Sequence, residues 1–142
     1  VSYATLPLLI ERYGETLLLQ VADRAVPPAG AIDSSIVDRV LADTDAVVDG
    51  YLAGRYVLPL ATTPPLLADI AASIAIYKLH VYSPEKKIED EYRDAIASLG
   101  RIATGTIRLP VAGVEPAGTD ASGVVVSDRP RDFTPDNLRG FV

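Results

Sequence analysis

Few side chains in this 142-residue chain have both the type and the neighbourhood to do chemistry. His80 is its one histidine, near the end of an apolar stretch. A general base needs an activated neighbour. The chain has no cysteine, and no Ser–His–Asp motif surrounds His80, so a histidine filling a helix contact is expected. Asp90, Glu91 and Asp94 cluster without a histidine or a calcium-loop spacing, which predicts a solvated face rather than ligands. No GK[ST] phosphate loop occurs, and Gly100 and Gly105 do not follow a strand-like run. The residues assign no catalytic group, no cofactor and no metal, and an enzyme is not expected.

The carboxylates Asp38, Asp45 and Asp49 form a more suggestive pattern. On a helix they fall within about 40° of one another, well away from the apolar centre. An ordinary solvated helix face is one reading. The other is that copies of this helix line a ring, whose negative lumen would let DNA slide without adhering. Spacing alone does not choose between them.

The elements that must hold these residues follow from periodicity. Thr5 suits an N-cap and Pro7 the first turn. Leu6, Leu9, Ile10 and Tyr13 make an i, i+3, i+4, i+7 stripe that Gly14 ends or kinks. A short helical piece follows from Glu15 to Ala22, then the proline-rich loop RAVPPAGA from Arg24 to Ala31. Asp33 or Ser34 caps a long helix to about Ala53 with Gly54 as its stop. Ile36, Val40, Val47 and Tyr51 form the centre of its apolar side, broadened by Val37, Leu41, Thr44 and Val48. Arg55 to Thr63 reads as a packed loop, since Pro59 forbids a helix interior.

Pro64 to Tyr82 is the organising stretch. Leu66, Leu67, Ile70, Ile74, Tyr77 and Val81 share one face, while Ile76 and Leu79 lie well off it. A helix apolar over most of its circumference is a buried one. Its centre is too polar and alanine-rich for a membrane span. The next helix starts at Ser83–Glu85, with Glu85 in the first turn. Ile88, Tyr92, Ala95, Ile96, Leu99, Ile102 and Ala103 form its stripe, and Gly105 its C-terminal stop.

From Thr106 the pattern changes. Ile107, Leu109 and Val111 alternate with polar or proline neighbours, as in a short strand or extended segment. Residues 112–142 read as an extended C-terminal arm with short β-prone runs, anchored by Phe133, Leu138 and Phe141. The fold class is mainly α: a small helical bundle around a buried central helix over 1–111, with the arm over 112–142. An arm of this kind is either disordered or becomes ordered on a partner, and its two phenylalanines favour the second reading. The net charge of −6 argues against a general nucleic-acid binder. No charged-then-apolar leader precedes the first helix, so no signal peptide is expected.

SYATLPLLIERYGE, DGYLAGRYVLPL, PPLLADIAASIAIYKLH, EDEYRDAIASLGRIATGTIRLP and RDFTPDNLRGF together resemble the Mu-like phage gp36 family. In helical layout this family is similar to the head-tail connector proteins of tailed phages. The resemblance implies a virion neck component, assembled in the host cytoplasm as a homo-oligomeric ring of twelve copies below the portal. Its implied partners are the portal protein, other neck or tail-completion proteins and the DNA passing through the lumen, with no membrane. It carries over no catalytic residue. The alternative is a small acidic protein–protein interaction or regulatory module without a channel role.

Overall fold

The computed structural model describes residues 2–111; the arm 112–142, with Phe133, Leu138 and Phe141, lies outside them. Within the described residues there are five helices and no strand: α1 (Leu6–Tyr13), α2 (Glu15–Ala22), α3 (Ser34–Leu52), α4 (Pro65–Leu79) and α5 (Lys86–Thr104). No helix among them is long and apolar enough to cross a membrane.

The core is built on α4. Leu67 and every residue from Ile70 to Ile76 are buried on it. Apolar residues all round the helix require neighbours on several sides, and α3, α5 and α1 supply them. Ala71, Ala72 and Ala75 have no exposed surface, so their small side chains set how closely the neighbouring helices approach. α5 meets α4 through Leu99 and Ile102 in the core. The Tyr77 and Tyr92 rings add a stack with centroids 3.9 Å apart and planes 9° from parallel.

Most helix ends follow their sequence signals. Thr5 caps α1 by accepting the Leu8 N–H, and the Asp33 carboxylate caps α3 by accepting from Ser35 N at 2.9 Å. Gly14, at φ +85°, both ends α1 and starts α2, a conformation that favours glycine. Gly105 ends α5 in the left-handed region, φ +82°. A β-carbon there would run into the Arg55 guanidinium, so this glycine also marks where the ends of α3 and α5 meet.

Four expectations are corrected in detail. The buried side of α3 is centred on Val37, Val40, Leu41, Thr44, Val48 and Leu52, leaving Ile36, Val47 and Tyr51 half-buried. The packing of α4 and α5 selects that side, and Thr44 tolerates burial because its hydroxyl donates to Val40 O at 2.8 Å. α3 ends at Leu52 with Ala53 as its C-cap, one residue before the expected end, and Gly54 follows without the left-handed backbone of a glycine stop; the Arg55 and Tyr56 amides instead both return to the Leu52 carbonyl. Glu85 is the N-cap of α5, one residue before its first turn.

The fourth concerns the end of α4, which stops at Leu79, leaving Val81 and Tyr82 64% and 88% exposed. His80 ends it. Its Nδ1 donates to Ile76 O at 2.7 Å, occupying the carbonyl that the next helical amide would use. Its own amide tightens onto Tyr77 O. Pro84 then disfavours helix at Ser83. His80 is thus a helix-end contact, as its lone position predicts.

The loop 55–63 is packed, with Tyr56 buried. Thr106 to Val111 is not a strand: the chain bends at Thr106 and Ile107, where the Ile107 amide returns to the Arg101 carbonyl at 3.2 Å. Leu109 is buried beside Tyr56, whose hydroxyl accepts its amide at 3.1 Å.

Candidate functional site

The acidic side of α3 is built by helical spacing and then altered by the N-terminus. Asp38 stands exposed in the first half of the helix, while Asp45 and Asp49 are half-buried. The difference comes from Tyr3. The segment before α1 crosses α3, and the Tyr3 amide donates to Asp45 Oδ1 at 3.0 Å. The Tyr3 hydroxyl donates to Asp49 Oδ1 at 2.5 Å. Tyr3 itself is 7% exposed. Burial first, and then the Asp49 carboxylate beside it, push its phenol well above the usual tyrosine range. Two of the three expected carboxylates therefore hold the chain's own N-terminus, and one presents an unshared charge to solvent.

Tyr3 and Asp49 also wall a cleft of about 320 Å³ with Leu58, Pro59, Leu60 and Thr63. One carboxylate against mostly apolar walls suits packing more than chemistry. Asp90 and Asp94 are exposed and Glu91 is half-buried on α5. Among the described residues no group of three or more His, Cys, Asp or Glu side chains could hold a metal ion. Near Glu91 and Asp94, a larger cleft of about 440 Å³ is lined by charges of both signs, including Arg12, Asp69 and Lys87. Arg12 pairs with Asp69 across α1 and α4, and Lys87 lies 3.9 Å from Glu91. The first pair ties α1 to α4, the second lies within α5, and the mixed charges leave no single-sign field for a ligand.

A family model described as Bacteriophage Mu, Gp36 matches residues 3–127. The chain belongs to that family. It is 31% identical over 142 residues to Mu-like prophage FluMu protein gp36 of Haemophilus influenzae, covering all of this chain and 99% of that protein. It is also 36% identical over 104 residues to gene product J of Escherichia phage Mu, covering 73% of each. This is a phage protein by kinship, and the resemblance in its motifs holds.

In this Gp36-family chain the family match takes in Tyr3 and all of α3 but ends before Phe133, Leu138 and Phe141. The alignment to the FluMu protein spans those residues too. Tyr3 is the residue that reading the sequence missed. It precedes the first helical stripe, so no periodicity includes it. The available signal was weak: an aromatic hydroxyl just before an N-cap, and acids with no cation at helical spacing.

Proposed function

We propose that this chain is a structural, non-enzymatic protein of the phage neck. Copies close into a ring of twelve below the portal, extend the DNA channel and join head to tail. Assembly takes place in the host cytoplasm, and the finished site is the virion neck.

The observation that carries this reading is the acidic flank of α3 in a member of a phage family. Asp38 is open to solvent, and Asp45 and Asp49 lie in line with it beneath Tyr3. Repeated around a ring, the stripe repels DNA phosphates and keeps the passing duplex from adhering. The overall charge of −6 acts in the same direction. Ring contacts are heterologous, the same two patches meeting around the circle until it closes. The arm docks through Phe133, Leu138 and Phe141 onto a neighbouring subunit, the portal or the next neck protein. Repetition around the ring offsets the ordering entropy of each arm.

Mass measurement of the full chain, alone and with purified portal, tests this. A closed multimer that joins portal supports the neck role. A stable dimer indifferent to portal replaces it with a small acidic interaction or regulatory module.

A further inference from the structure

We draw no further inference here: the strongest candidate, the apolar groove between the 24–31 loop and the segment after α4, is lined by the exposed side chains Val26, Val81 and Tyr82, but nothing in the structure shows what covers it.

Discussion

The Tyr3 hydroxyl lies 2.5 Å from Asp49 Oδ1, a bond between residues 46 apart in sequence. It closes the N-terminal segment over α3 and turns a surface carboxylate into a structural one. Hydrogen bonds to charged groups contribute more than neutral ones. Tyr3→Phe is expected to lower stability in urea unfolding at pH 7 by about 2 kcal/mol. An unchanged midpoint would mean the bond contributes nothing in solution.

The same bond makes stability depend on alkaline pH. The Tyr3 phenol is raised in the folded state, so the fold favours its protonated form. Its contribution is complete below the ordinary tyrosine value of 10.0 and is lost as pH rises through the folded value above it. Burial raises Tyr13 as well, so it adds to the slope. Stability measured from pH 9 upward should fall, and Tyr3→Phe should flatten that fall without abolishing it. An identical slope in the variant would remove Tyr3 from the account.

Asp23 predicts the opposite pH response. The Gly30, Ala29 and Ala25 amides hold its carboxyl below the ordinary value of 3.8. Its contribution is present above that value and is lost as pH falls through the lower folded one. Asp33, lowered by Ser35 at the cap of α3, behaves alike. Asp23→Asn should weaken the acid dependence and speed hydrogen exchange at the Gly30 amide, because the 24–31 loop loses its anchor. Unaltered Gly30 exchange would show that the loop is held by other means.

Two substitutions probe the packing of α4. Ile74→Ala removes a side chain with no exposed surface and should destabilise by about 2–5 kcal/mol. Ala72→Leu adds volume where no space exists and should cost about 1–3 kcal/mol. Chemical denaturation reads both. Tolerance of leucine at 72 would mean that α4 is not enclosed on that side.

These residues also mark what periodicity could reveal. The burial of α4 was legible because apolar residues fill its whole circumference, and α5 because its stripe is narrow and its glycine stop has the right backbone. The caps at Thr5 and Asp33 are local chemistry, read within a few residues. The end of α4 was not legible, since His80 stops the helix with a ring-to-carbonyl bond that hydropathy does not register, so periodicity carries the apolar face on to Val81, which is exposed. Asp45 and Asp49 are half-buried rather than opposite the core, because the buried side of α3 is turned toward them, and their partner, Tyr3, comes from more than 40 residues away and outside any helix. Contacts of that kind depend on topology, not on spacing. The arm anchors Phe133, Leu138 and Phe141 lie outside the described residues, so their role stands on the proposals above.

Asp38 is the cleanest probe of the channel, because neither Tyr3 bond uses it. Asp38→Lys should leave assembly mass unchanged. It should give the assembled protein a salt-sensitive affinity for linear duplex DNA, measured by filter binding at low ionic strength. No gain in DNA binding by an intact assembly would place Asp38 away from the lumen.

The central claim is that copies of this helical body encircle the DNA path between portal and tail. A reconstruction of the particle neck with this chain traced tests it most directly. The account predicts a closed ring below the portal with Asp38 toward the axis. Density showing the chain as isolated monomers away from the DNA exit would contradict it.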